Sequence, residues 1–252
     1  MKTLIVSKTA LTVATVAFGA ALSLPAAIID FSTDPNIAGD WENNTFITGI
    51  GTGTATWDGT NGDLDLQAAA GATYWSALSP TGATLGANET VTMDVKSATG
   101  TPGNNPTAFG LVGLTISTSG TPTIGSGAHY TFRHTSTSLT AGLWSYEVID
   151  HAGVSLYISD TPASFTPVTM QIRRSGDEFD FMANGSTLFT SSGTYTAAQN
   201  DAMVNYHIAF SSGNTALLNA TVDNFGVIPE PGTYALLGGL FALSFVMVRR
   251  RR

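Results

Sequence analysis

The 252-residue chain contains no cysteine. That excludes a disulfide scaffold, a Cys-ligated zinc or iron–sulfur centre and a thiol nucleophile. Charge is sparse, at 11%, and positive charge is nearly absent from the middle. Lys2 and Lys8 lie at the start and Arg249, Arg250, Arg251 and Arg252 at the end, so residues 28–228 hold four basic against seventeen acidic side chains, a net of −13. A surface of that sign repels phosphate backbones and excludes nucleic acid as a partner. No stretch of the middle sustains a 3.6-residue period; Ala197 to Ala202 has room for one helical turn. There is no Walker lysine, no Gly-x-Ser-x-Gly elbow and no His-Glu-x-x-His, and Gly49-Ile-Gly-Thr-Gly53 lacks the third glycine of a dinucleotide fingerprint.

What is present has period two. Glu89 to Lys96 puts Val91, Met93 and Val95 on one face and Thr92, Asp94 and Lys96 on the other; Pro167 to Arg173 repeats the pattern with Val168, Met170 and Ile172. Glu178 to Met182 pairs Phe179 with Phe181, and 109–117, 129–134, 143–150, 154–159, 205–211 and 219–227 also read as strands. Asp58-Gly59, Asn61-Gly62, Ser175-Gly176 and Asn184-Gly185 supply the positive-φ residues that tight turns require, and 99–106 reads as a surface loop. About a dozen short strands with turns between them predict one all-β domain over 28–227, an antiparallel sandwich or barrel, of a length that suits a jelly roll. Each strand is expected to have one buried and one wet face.

The two ends differ from the middle. Lys2 and Lys8, the apolar run Leu11 to Leu24 and the small residues Pro25-Ala26-Ala27 have the form of a secretory signal peptide, 1–27, for the Sec export machinery. At the other end Pro229-Glu230-Pro231 precedes an uncharged apolar run, Tyr234 to Val248, and then four arginines. Fifteen helical residues reach roughly 22 Å, short for a bilayer unless the flanks help, and the arginines set a cytoplasmic orientation. Together, 228–252 resembles the PEP-CTERM sorting signal of Gram-negative bacteria, with a transmembrane helix over 234–248. The resemblance implies an inner-membrane-anchored precursor, processing near Pro-Glu-Pro by an exosortase, and delivery to the cell surface or an extracellular matrix associated with exopolysaccharide and biofilm. It assigns no activity to the domain upstream.

The order of the domain's strands, with a hairpin from Arg174 running into Asn184-Gly185, resembles the concanavalin A-like (laminin G-like) jelly roll. That resemblance implies two stacked sheets and a family whose members often bind glycans or calcium. Asp58, Asn61, Asp63 and Asp65 gather four oxygen-bearing side chains in eight residues, a candidate calcium loop without EF-hand spacing; the competing reading is a turn rich in these residues for backbone reasons. Trp41, Trp57, Trp75 and Trp144, with Tyr74, Tyr130, Tyr146 and Tyr157, are candidates either for sugar stacking or for the core. His129 and His134, five apart on a strand, point to opposite faces and so do not share a metal; with His151 and His207 they are expected to be structural or surface residues.

Glycoside hydrolysis needs two carboxylates close together. Glu178 and Asp180 share a face, but the laminarinase-like pattern Glu-x-Asp-x-x-Glu meets Ala183 at its last position, and Glu147 and Asp150 face opposite ways. The expectation is therefore an exported, non-catalytic surface or matrix protein associated with polysaccharide. The alternative is a calcium-assisted lectin-like module, with a glycosidase ranked below both.

Overall fold

The computed structural model describes residues 28–45, 53–68, 76–100, 111–120, 127–135, 143–159, 163–211, 218–229 and 243. The expected signal peptide, the segment after Pro229 apart from Leu243, and Tyr74 and Trp75 lie outside the described residues. Among the described residues no helix is long and apolar enough to cross a membrane.

Sixteen strands and two short helices are described. In chain order they are β1 (Ile28–Ile29), α1 (Ile37–Asp40), β2 (Trp41–Thr45), β3 (Gly53–Asp58), β4 (Asp63–Ala68), β5 (Ser76–Pro80), β6 (Glu89–Gly100), β7 (Leu111–Ser117) and β8 (His129–Thr135). There follow β9 (Leu143–Asp150), β10 (Ser155–Ile158), β11 (Ala163–Ser164), β12 (Val168–Ser175), β13 (Glu178–Ala183), β14 (Ser186–Thr190), α2 (Ala197–Ala202), β15 (Asn205–Ser211) and β16 (Leu218–Pro229). They form two antiparallel sheets. The first runs β14-β13-β12-β6-β16-β4-β3, with β1 also paired to β16; the second runs β10-β9-β8-β7-β15-β5-β2, with β11 also paired to β9. The architecture is an antiparallel β-sandwich, one of the two that the period-two pattern predicts.

The core lies between the sheets. Val91, Met93 and Val95 of β6 and Val168, Met170 and Ile172 of β12 are buried with Phe179 and Phe181 of β13. Facing them from the second sheet are Val112, Leu114 and Ile116 of β7 and Tyr130 and Phe132 of β8. Tyr130 meets Phe179 and Phe181 edge-on, with ring centroids 5.8 and 5.5 Å apart, the geometry that the ring quadrupoles favour.

The turns follow local chemistry. Asn184 (φ 50°) and Gly185 (φ 76°) both take the left-handed conformation that a tight turn between β13 and β14 demands. Gly59 corrects its expected role: its φ is not left-handed, and it is small because a Cβ there would lie 2.7 Å from the Trp57 ring. The single helical turn at Ala197–Ala202 is capped reciprocally: Gln199 N–H donates to Thr196 Oγ1, and Thr196 N–H donates to Gln199 Oε1. Thr196→Ala removes one half of this capping box, and the expected loss is about 1 kcal/mol in chemical denaturation. An unchanged denaturation midpoint would show that the cap contributes nothing.

One expectation about exposure is corrected. Every residue of β7 is buried, so the second sheet has no wet face there. Polar and apolar residues still alternate along its strands, but at β7 the polar side is closed off from water.

Candidate functional site

The strand registers place one polar layer on the side of the second sheet that faces away from the core. Thr115 of β7 lies opposite Thr131 of β8 and His207 of β15. Gly113 lies opposite Arg133 and Ala209, and Arg133 lies opposite Glu147 of β9. The layer includes Ser79, Thr115, Ser117, His129, Thr131, Glu147 and His207, all buried. Buried polar atoms need partners, and most of these have them. Thr115 and Thr131 share a 2.9 Å hydroxyl bond. Ser117 Oγ donates to Ser119 O at 2.6 Å, so it can only accept from His207 Nε2 at 3.4 Å; His207 Nδ1 must then accept from Ser79 Oγ at 3.0 Å. The network thus selects the Nε2–H tautomer of a neutral imidazole. Burial supports the same state, pushing His207 down to about 4.

Arg133 and Glu147 form the ion pair of this layer. Arg133 Nε and Nη2 donate to Glu147 Oε2 at 2.9 and 2.6 Å, and the two side chains keep 16% and 10% of their surface in contact with solvent. Sequence reasoning missed this pair. The residues are fourteen apart, and only the β8–β9 register joins them. Alternation was the available signal: both sit at polar positions flanked by core residues.

At the end of the layer, Tyr195 Oη donates to His129 O at 3.1 Å and receives the His151 backbone N–H at 3.1 Å. With its own proton used, it accepts from His151 Nδ1 at 2.7 Å. His129 is pushed down to about 4 by burial, with the neighbouring His151 adding to the effect. His134 points the other way, as expected, and stacks on Tyr146 with centroids 4.5 Å apart; burial pushes it to about 4 as well. Among the described residues, Nδ1 of His129 and Nδ1 of His134 find no hydrogen-bond partner.

The expected calcium residues stay together on the β3–β4 hairpin, Asp58 directly opposite Asp63 and Asp65 next on the same face, but their side chains are engaged by other groups. Asp58 caps its own turn, accepting Thr60 N–H at 2.9 Å and Asn61 Nδ2 at 2.7 Å, and these bonds hold its carboxyl below the ordinary range, the Thr60 amide most of all. Asp63 pairs with Lys96, which also meets Asp223 at 2.8 Å; the Asp223 bond and then the Asp63 bond raise the lysine. Asp65 accepts from Thr221 Oγ1 at 3.0 Å. Among the described residues, no group of three or more His, Cys, Asp or Glu side chains is placed to hold a metal ion. Asp180 takes Arg173 and Thr190, so it is engaged on the outside of the first sheet. Trp41, Trp144 and Tyr130 are core residues, and Trp57 is half-buried with its Nε1–H on Phe31 O at 2.8 Å.

No family model matches the chain, and no curated relative matches it. Solved structures do. An endo-acting O-glycanase from the human gut microbiota superposes with a TM-score of 0.53 at 15% identity, covering 82% of this chain and 99% of its own. The β-glucanase of Bacillus licheniformis gives 0.50 at 11%, with coverages of 82% and 99%. The laminarinase of Flavobacterium sp. UMI-01 gives 0.51 at 9%, with 78% and 97%. At these identities the likeness shows the fold alone.

That finding corrects the expectation of a non-catalytic protein. The fold is shared with glycan-cleaving enzymes, and the argument against catalysis rested on one contiguous motif that ends at Ala183. Catalytic groups need to meet in space, not in sequence. Cross-strand register brings Arg133 to Glu147 without any motif, so a missing motif is no ground for excluding an enzyme.

Proposed function

We propose that this chain is an exported, carbohydrate-active protein built on a concanavalin A-like jelly roll, acting on a polysaccharide of the cell envelope or matrix. The observation that carries the reading is the end-to-end likeness of the sandwich to an O-glycanase, a β-glucanase and a laminarinase, each covered over nearly its whole length. Most of the polar layer of the second sheet is buried, and the Arg133–Glu147 pair, whose side chains keep 16% and 10% of their surface in solvent, is where a hydroxyl-rich ligand would meet fixed hydrogen-bonding groups. The ends of the chain supply the route. The 1–27 segment directs export, and the Pro229-Glu230-Pro231 signal with its arginine cluster holds the precursor in the inner membrane until an exosortase-type enzyme processes it.

The test uses the full chain, purified in mild detergent, with soluble β-glucan, mucin-type O-glycan and exopolysaccharide from the producing cells. Saturable binding to one of them is expected, and reducing ends are measured in the same tubes. Glu147→Gln is expected to weaken the response about tenfold or more, because it removes the charge that Arg133 is paired with. Neither binding nor release with any of the three would remove the reading.

A further inference from the structure

Residues 28–228 contain four basic side chains, Lys96, Arg133, Arg173 and Arg174, and seventeen acidic ones. The fold commits all four cations. Lys96 meets Asp63 and Asp223, Arg133 pairs with Glu147, Arg173 with Asp180 and Arg174 with Asp201. Arg174 is nearly buried, and its Nη2 donates to the Asp201 carboxylate at 2.8 Å and to the Asp201 carbonyl at 3.2 Å. The acids are also unevenly placed. The strands of the first sheet carry eight acidic and three basic residues, whereas those of the second carry Glu42, Glu147 and Asp150 with Arg133. Asp150 closes its own turn, accepting Ala152 N–H and Val154 N–H at 2.9 Å. In the polar layer of the second sheet the charges of Arg133 and Glu147 cancel, and burial keeps His129 and His207 neutral at pH 7.

We propose that the glycan taken by this domain is an uncharged polysaccharide, and that chains bearing uronate or sulfate groups are turned away by the domain's own charge. This names the ligand class of the site described above and rests on the carbohydrate-active reading. A carboxylate or sulfate that leaves water needs a cation or fixed N–H donors in exchange. Each cation here already holds a carboxylate of the same chain. For the site's own cation the exchange is worst. Drawing Arg133 to a ligand would leave Glu147, with 10% of its side-chain surface in solvent, without its partner.

A sugar hydroxyl makes no such demand. It donates one hydrogen bond and accepts others, so it meets the Arg133 fork and the Glu147 carboxylate side by side without separating them. Longer-range repulsion adds to the selection. A polyanion brings a charge with every repeat toward a domain of net −13, and the repulsion reaches about 8 Å at physiological ionic strength. A neutral chain feels none of it. Binding of the right ligand is thus insensitive to salt, and charge acts as a filter on the wrong ones.

The full chain in mild detergent, with a chelator present, is titrated with soluble neutral β-glucan and with the same glucan carboxymethylated or hydroxyethylated. The hydroxyethyl group adds similar bulk without the charge. Affinity for the neutral glucan is expected to change less than about twofold between low and high salt. The carboxymethyl glucan is expected to bind about tenfold or more weakly at low salt, with the gap narrowing as salt is added. The hydroxyethyl glucan is expected to follow the neutral form. Exopolysaccharide from the producing cells, split by anion exchange into neutral and acidic fractions, carries the same comparison to the native polymer, and the neutral fraction is expected to bind. If the carboxymethyl glucan or the acidic fraction binds as well as its neutral counterpart, the charge filter is overturned and the carbohydrate reading stands. A loss as large with hydroxyethyl as with carymethyl groups also overturns the filter, because bulk then decides. Binding to none of these polymers removes the carbohydrate reading, and the filter with it.

Discussion

Between pH 7 and pH 5 the protein is expected to lose several kcal/mol of stability, because three histidines are buried in the neutral form. His129, His134 and His207 are each pushed from 6.5 to about 4, in every case chiefly by burial. The sign follows from proton counting. Above pH 6.5 neither the folded nor the unfolded chain protonates them. As the pH falls below 6.5 the unfolded chain takes up three protons, while the folded chain takes up almost none until near pH 4. Unfolding is therefore favoured progressively across that window, and the stability present above pH 6.5 is lost toward pH 4. At pH 5 each group contributes about 2 kcal/mol of loss, at 1.36 kcal/mol per pH unit. Three of them together approach the roughly 5–15 kcal/mol that holds a domain folded. Urea denaturation at pH 7 and pH 5 measures the difference. His134→Phe isolates one part of it: the ring sits among Tyr146, Trp144 and Phe165 with its Nδ1 unpartnered among the described residues, so an apolar ring fits the surroundings. That variant should lose about a third less stability between the two pH values. Equal midpoints for the parent protein at pH 7 and pH 5 would refute the account.

The same histidines show what a sequence discloses. That His129 and His134 face opposite sides follows from their spacing, because strand alternation is local geometry. That both are buried does not follow, since burial depends on what covers each face, and at β7 the second sheet's polar side is closed off as well. The hairpin from Arg174 through Gly185 was legible for a similar reason, with its turn residues and alternating phenylalanines contiguous. The strands near the N-terminus, β2 to β5, were not identified because runs such as Trp41-Glu-Asn-Asn-Thr45 carry weak strand propensity, and outside the local β3–β4 hairpin they are held by distant partners, β2 by β5, β5 by β15 and β4 by β16. For the candidate site, the carboxylate was visible and its partner was not. Glu147 was weighed against Asp150, its neighbour in sequence, whereas the group that defines its chemistry is Arg133 on the adjoining strand. For the candidate calcium loop, the gathering of the side chains was visible in the sequence and their partners were not. Asp58, Asp63 and Asp65 share one face of the β3–β4 hairpin, with Asp58 directly opposite Asp63, and there they are engaged by a turn amide, a lysine and a threonine.

Gly113→Ala is expected to destabilise the fold by more than about 4 kcal/mol. Gly113 lies in mid-strand on β7, between Arg133 of β8 and Ala209 of β15. A Cβ placed on it would stand 2.1 Å from Phe132 O, 2.7 Å from Arg133 Cα and 3.0 Å from Phe132 C. All three are backbone atoms of one central strand, so no rotamer change relieves the overlap, and β8 has to move away from β7. That shift would carry Phe132 and Tyr130 out of the aromatic cluster with Phe181 and would displace Arg133 from Glu147. Overpacking in a well-filled interior costs roughly 1–3 kcal/mol when side chains can yield; here the obstacle is backbone, and a loss above about 4 kcal/mol is expected, in the range that only a few mechanisms reach. Soluble yield and the near-UV signal of the aromatic core report the outcome. Gly82→Ala is the control: its φ of 74° makes the substitution strained, but nothing lies within 4 Å of the added carbon, so the cost is limited to about 1 kcal/mol of backbone strain. If Gly113→Ala melts no lower than Gly82→Ala, the close approach of β7 and β8 is not a constraint on the fold. If only Gly113→Ala fails, a glycine that carries no side chain of its own sets the spacing of the two strands and thereby the position of Arg133 and the candidate site.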